Sequence, residues 1–199
     1  MNVLQWVLRI DRSLYRILHD CCRSQFMDAL MDTLSSRRSW LPVILVISVI
    51  TIIIKRVKFL EIAVIIAVAV GLSDFTACQL IKPAVGRERP EPSSSYAFPS
   101  GHAASSTSAA TVLAFYVPPL APAAAASALA ISCSRIYLGA HYPLDVFCGA
   151  LLGFLIACAV LRLRQRVFAP DRQNIITWWK QKNSPIQTGE EKHEPNQRS

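Results

Sequence analysis

Charge is what this sequence lacks over long stretches. Residues 39–54, 103–134 and 146–161 contain no Asp, Glu, Lys or Arg, and Asp74 alone interrupts 62–81. A water-soluble helix needs a polar face, so blocks of this kind exclude an ordinary soluble bundle. Cysteines occur without any CxxC spacing. Cys21 and Cys22 are adjacent, while Cys78, Cys133, Cys148 and Cys158 fall in or beside apolar blocks, where a thiol packs as a small hydrophobe. That pattern excludes a disulfide scaffold and a zinc site. Neither a carboxylate cluster nor a His/Cys set is spaced as a catalytic metal requires, so no metal and no cofactor are expected. Internal repeats are absent. A signal-peptide core is also missing, because Arg9, Asp11, Arg12 and Arg16 stand where its apolar run would be.

What is present is mostly apolar: hydrophobic residues make up 52% of the chain, and the mean hydropathy is +0.34. A bilayer core takes about 20 apolar residues per helix. Pro118, Pro119 and Pro122 divide 103–134 into two, so five spans are expected. Residues 1–34 place Val3, Val7, Ile10, Leu14, Ile17 and Leu18 at helical spacing with charges between them. This predicts an amphipathic helix lying in the membrane interface or serving as a sixth, imperfect span. The expected class is an all-α polytopic membrane helix bundle: an interfacial segment over 1–38, a membrane core over 39–168 and a polar tail over 169–199. Trp178 and Trp179 in that tail are expected to touch the interface.

The net charge of +8 does not call for a nucleic-acid partner. Lys55, Arg56 and Lys58 follow the first span and Arg162, Arg164 and Arg166 follow the last, outnumbering Arg37 and Arg38. The excess of basic residues puts these ends and the tail in the cytoplasm. The loop 82–100 and the turn 135–142 then share the outer face.

Polar residues near a membrane are costly and mark function, and here they gather in three segments of that face. The first runs from Lys82 to Pro90 and carries Lys82, Arg87 and Arg89; taken alone, it is also compatible with an ordinary basic loop. The second is Pro99-Ser100-Gly101-His102. Ser100 suits a helix N-cap, and Gly101 lets an anion reach the free amides of the first turn. The third is Ser134-Arg135, then His141, then Asp145. Pro143 suits the first turn of the last span, so Asp145 either compensates the helix dipole or orients His141 by a hydrogen bond to one ring nitrogen. Together the segments bring cations, two histidines, a carboxylate and a helix N-terminus to one place. That inventory fits in-line phosphoryl transfer, in which fixed cations and amides stabilise charge spread over the phosphoryl oxygens. One histidine would attack phosphorus while the other protonates the leaving oxygen. Asp74, two turns before Lys82, is expected to pair with Lys82 or Arg135, or to face a small wet cavity. His19 and His193 lie outside the segments and are expected to be solvated.

The pattern Lys-x6-Arg-Pro, Pro-Ser-Gly-His and Ser-Arg-x5-His-x3-Asp resembles the type-2 phosphatidic-acid phosphatase superfamily. Lys82, Arg89, Pro90, Pro99, Ser100, Gly101, His102, Ser134, Arg135, His141 and Asp145 fill every fixed position, within about residues 62–161. The resemblance implies a six-helix core with its site at the outer membrane surface. It implies His141 as nucleophile, Asp145 as its orienting group and His102 as the acid. It also implies Lys82, Arg89 and Arg135 on the phosphate oxygens with Ser100 and the Gly101 amide, and Ser134 in support of Arg135.

The expected substrate is a lipid phosphate or diphosphate at the outer leaflet. The compact chain is similar to small bacterial undecaprenyl-diphosphate phosphatases, hence a bacterial inner membrane with the site facing the periplasm. Phosphatidic acid, phosphatidylglycerophosphate and lipid A phosphate are the alternatives. The expected partners are that lipid and the bilayer, and no protein partner is indicated. Two other classes contrast with this reading. A vanadate-dependent haloperoxidase would be soluble, and a non-catalytic phosphate-lipid binder or transporter would need only the cations. Because one histidine must be neutral and the other protonated, the rate is expected to fall on both sides of a pH optimum. A pH–rate profile with chemistry rate-limiting checks this.

Overall fold

The structure, a computed structural model, describes residues 2–20, 23–36 and 57–168. The expected first span at 39–54 lies outside the described residues, as do Cys21, Cys22, Arg37, Arg38, Lys55, Arg56, Trp178, Trp179, His193 and the tail. Among the described residues all regular elements are helical. They are α1 (Val3–Asp20), α2 (Gln25–Ser35), α3 (Val57–Phe75), a π-helical segment (Thr76–Ile81), α4 (Lys82–Val85), α5 (Gly101–Tyr116), a 3-10 turn (Pro118–Leu120), α6 (Ala121–Tyr137) and α7 (Pro143–Phe168).

The single amphipathic helix expected over 1–34 is two helices. Ser24, in extended conformation, caps α2 by accepting the Met27 N–H at 3.2 Å, so a new helix starts there. Along α1, Asp11, Tyr15 and His19 recur every fourth residue and turn inward, while Val3, Trp6, Ile10, Leu14 and Ile17 stay exposed. The apolar stripe of α1 therefore faces away from the protein. This is the reverse of a soluble amphipathic helix and suits a lipid-facing surface.

The bundle is built the same way. Phe59, Val64, Leu72, Phe147, Leu151 and Leu155 are exposed, whereas Ala69, Ala77, Ala103, Ala104 and Ala157 are fully buried. Small residues inside let helices approach where lipid provides no hydrophobic drive for association. The closest approach is between α7 and α5. A Cβ on Gly149 would lie 2.4 Å from the Ser100 carbonyl oxygen, and one on Gly153 only 2.0 Å from that of Ala104. Three helical stretches are long and apolar enough to cross a membrane: Phe59–Val85, Pro118–Tyr137 and Pro143–Val167. With 16 residues, α5 extends about 24 Å, less than the roughly 30 Å hydrocarbon core. Three of the five expected spans thus have helices of sufficient length among the described residues.

Pro83 disfavours a helical conformation at Lys82, yet it does not end the second span. The helix passes through it to Val85 and stops where Gly86 adopts φ 63°, a left-handed C-cap. The π-helical segment just before makes this possible. There the Lys82 N–H bonds to the Ala77 carbonyl, five residues back. The wider turn gives space to a proline ring that would otherwise strike the carbonyl four residues before it. At the opposite end of the bundle Arg164 Nε donates to Glu61 Oε1 at 2.8 Å, tying α7 to α3. The Arg164 guanidinium also lies 5.7 Å from the Tyr116 ring.

A methyl group at two glycines should have opposite effects. Gly153→Ala drives a Cβ into backbone and is expected to cost about 1–3 kcal/mol. Gly71→Ala meets nothing within 4 Å and is expected to stabilise its helix by about 0.5–1 kcal/mol. Thermal unfolding of both variants in detergent checks this.

Candidate active site

All three polar segments converge at one end of the bundle. Ser100 caps α5, accepting the Ala103 N–H at 3.4 Å, and its own N–H donates to the Asp145 carbonyl at 2.9 Å. That bond joins the start of α5 to the first turn of α7. Gly101 is equally constrained: a Cβ there would lie 2.8 Å from Cys78 Sγ and 3.2 Å from Asp74 Oδ1. Only glycine lets the α5 N-terminus settle against the π-helical turn. His102 follows, half-buried in the first turn of α5.

His141 precedes α7 and is 1% exposed. Its backbone N–H donates to the Arg135 carbonyl at 3.2 Å, so the turn after α6 is tied back to the motif arginine. Burial pushes its pKa from 6.5 down to about 2, and the Arg135, Arg89 and Lys82 cations push in the same direction. A hydrogen bond with the Ala97 backbone opposes the fall. The ring is therefore neutral, as a nucleophile must be. The same three cations are the ones the sequence assigns to phosphate.

Asp145 is fully buried and lies 3.9 Å from His141 Nδ1, beyond hydrogen-bond distance. Its oxygens are engaged elsewhere: Oδ2 accepts the Tyr142 N–H at 2.8 Å and Oδ1 accepts from Arg87 Nη1 at 2.6 Å. Arg87, which the sequence analysis placed only in the first polar segment, binds a second carboxylate at the same time. Its Nη2 donates to Asp11 Oδ2 at 2.6 Å, and its guanidinium lies 4.3 Å from the Tyr142 ring. Arg89, by contrast, donates to neutral oxygens, Ser95 Oγ at 2.6 Å and the Tyr96 carbonyl at 3.4 Å. Its charge stays available to an anion.

Three expectations gain detail. Ser134 Oγ donates to the Ile131 carbonyl of its own helix at 2.7 Å, and Arg135 Nη1 donates to Ser35 of α2. Asp74 accepts from Cys78 Sγ at 3.6 Å, and it acts electrostatically on Lys82, one of the two partners expected for it. His19 is not solvated. It is wedged between Tyr15, whose ring centroid is 5.0 Å away, and Glu91, at 3.6 Å.

The residues missed by sequence reasoning are Asp11, Ser35 and Tyr142. The signal for Asp11 was its place on one stripe with Tyr15 and His19. Among the described residues no group of three His, Cys, Asp or Glu side chains could hold a metal ion. An open hollow of about 400 Å³ lies beside the site rather than in it. Asp28, Asp32 and Glu91 line it beside a single cation, Arg23, so the hollow is acidic on balance.

A polytopic helical bundle with this histidine and cation site defines a class, and comparison identifies it. The PAP2 superfamily model matches residues 58–169, more than half of the chain, which belongs to that superfamily. An undecaprenyl-diphosphatase from Sulfolobus acidocaldarius is 35% identical over 129 residues, 59% of this chain and 60% of that protein. A decaprenylphosphoryl-5-phosphoribose phosphatase from Mycolicibacterium smegmatis is 41% identical over 93 residues, 41% of this chain and 51% of that protein. The chain thus spans only about half to three fifths of the length of the curated relatives it matches. The crystal structure of a transmembrane PAP2-type phosphatidylglycerolphosphate phosphatase from Bacillus subtilis shares the fold. Its TM-score is 0.63 at 22% identity, covering 82% of this chain and 88% of that one. Aquifex aeolicus LpxE does so with a TM-score of 0.58 at 23% identity, covering 77% and 95%.

Because the folded pKa of His141 is depressed, the unfolded chain binds a proton below about pH 6.5 that the folded chain refuses. His141 therefore contributes nothing to the pH dependence of stability above that value and reduces stability as pH falls below it. Its ring resonances are expected to stay constant from about pH 8 to pH 5, where an ordinary histidine titrates. NMR of histidine-labelled protein in detergent checks this, with His141→Ala assigning the signal.

Proposed function

We propose that this chain is an integral-membrane lipid phosphatase that works without a metal through a phosphohistidine on His141. The observation that carries this reading is a buried, neutral imidazole ringed by Lys82, Arg89 and Arg135. In the first step a His141 ring nitrogen attacks phosphorus while the bond to the leaving oxygen breaks, and His102 donates the proton that oxygen needs. In the second, water attacks the phosphohistidine, His102 takes its proton, and inorganic phosphate leaves as His141 is regenerated. Lys82, Arg89 and Arg135, with Ser100 and the Gly101 amide, hold the phosphoryl oxygens throughout. Asp145 keeps a negative charge beside the ring as it becomes cationic.

The substrate we infer is undecaprenyl diphosphate, cleaved to the monophosphate and inorganic phosphate. Both curated relatives carry a polyprenyl lipid in their names, which favours this over a glycerophospholipid. The second reading, phosphatidic acid or phosphatidylglycerophosphate, has the name of the Bacillus subtilis fold neighbour in its favour. We place the site at the periplasmic face of a bacterial inner membrane, with 169–199 in the cytoplasm. On this reading α1 and α2 lie along the interface on the site's side.

The test is phosphate release in detergent from undecaprenyl diphosphate, phosphatidic acid and phosphatidylglycerophosphate, with EDTA present. Release is expected to survive EDTA, to be greatest from undecaprenyl diphosphate and to vanish in His141→Ala. Turnover that needs a metal or persists in His141→Ala would defeat the mechanism. Binding without turnover of any lipid would favour a binding or transport protein.

A further inference from the structure

We propose that Asp11, on the N-terminal helix α1, is a positioning residue of the catalytic centre. It shares the guanidinium of Arg87 with Asp145 and so sets the charge that Asp145 presents to His141. The proposal rests on the phosphohistidine reading above. Asp11 belongs to none of the three motif segments, yet it is only 4% exposed and both of its oxygens are used. Oδ2 takes Arg87 Nη2 at 2.6 Å, and Oδ1 takes the Leu144 N–H, in the first turn of α7, at 2.8 Å. One carboxylate from α1 therefore fastens both the arginine that grips Asp145 and the helix end that carries it.

The charge count gives Asp11 a role beyond that of a tie. Arg87 is a single cation between two buried carboxylates, with one terminal nitrogen on each. With Asp145 alone, the guanidinium would cancel its charge. With Asp11 added, the trio carries one net negative charge, 3.9 Å from His141 Nδ1. An imidazole that attacks phosphorus turns cationic, so this residual charge is stabilising in the transition state and of little use to the neutral ground state. A plain cap on Leu144 would need only a neutral oxygen, and burying a charge for that purpose alone is unfavourable. Tyr142 completes the arrangement. Its ring covers the guanidinium at 4.3 Å, and its N–H fixes Asp145 Oδ2.

Asp11→Asn keeps an oxygen for the Leu144 N–H and removes the charge. In the purified full chain it is expected to lower kcat about 10- to 100-fold, the scale of a misplaced catalytic group, with KM changed less than about threefold. Inhibition by orthovanadate, a phosphate mimic held by Lys82, Arg89 and Arg135, should change as little. Asp11→Glu, which keeps the charge, should recover most of the lost kcat. Arg87→Lys should reproduce the same split, because an ammonium lacks the planar fork that serves two carboxylates at once. It decides the matter where Asp11→Asn yields no folded protein. Unchanged kcat in Asp11→Asn overturns the proposal. So does a fall in kcat matched by equal losses of vanadate binding and thermal stability, which marks a purely structural tie. His141→Ala in the same assay separates the two levels. If it turns over, the phosphohistidine reading fails; if it is inactive while Asp11→Asn runs at full rate, the positioning role alone fails.

Discussion

The backbones of α5 and α7 touch, and the site depends on that contact. Gly149 and Gly153 leave no side chain between the helices, so the carbonyls of Ser100 and Ala104 sit where Cβ atoms would otherwise be. Within lipid, helices associate through such close packing and through hydrogen bonds. The contact fixes the sliding register of the two helices, which lets the Ser100 N–H reach the Asp145 carbonyl. Two motif segments far apart in the chain thereby become one surface. The N-terminus of α5 and the imidazole that precedes α7 are thereby held at the same end of the bundle.

Around that joint the charges divide into two groups with different duties. Arg87 is neutralised by Asp11 and Asp145 inside the protein. Lys82, Arg89 and Arg135 surround His141 and depress its basicity. Removing one partner from a buried ion pair costs about 3–5 kcal/mol, because a charge is stranded. The first group therefore has to stay intact for the second to be aimed. It also binds α1 to the bundle, although the apolar stripe of that helix points away from it.

The spans at 62–81 and 146–161 and the three motif segments were legible because each is local. An uncharged run of membrane length or a fixed spacing around a histidine needs no knowledge of distant contacts. Ser100 as a cap and Asp145 in the first turn of α7 follow from the same local rules. The contacts of α1 and α2 were hidden, because nothing in a linear pattern couples Asp11 to Arg87 across 76 residues or Ser35 to Arg135 across 100. The amphipathic pattern of α1 was read as a division between lipid and water. The structure adds a third stripe, Asp11, Tyr15 and His19, facing protein. The bond of Ser134 to Ile131 is local by contrast: a buried serine in a helix often satisfies itself on the carbonyl a turn behind it.

The π-helical turn before Pro83 also has a rotational meaning. In a regular helix each residue advances about 100°, so Lys82, eight residues after Asp74, would stand about 80° around the axis from it. A π turn takes up one extra residue without the corresponding advance and brings Lys82 back to within about 20° of Asp74. The helix thus changes phase partway along its length. Below the turn its angular setting answers to lipid, with Val64, Val68 and Leu72 outward; above it, the setting keeps Lys82 within electrostatic reach of His141. Regularising this turn with every residue kept would swing the motif lysine about 100° around the axis, whereas deleting a single residue between Thr76 and Ile81 would straighten the helix and leave Lys82 facing as it does.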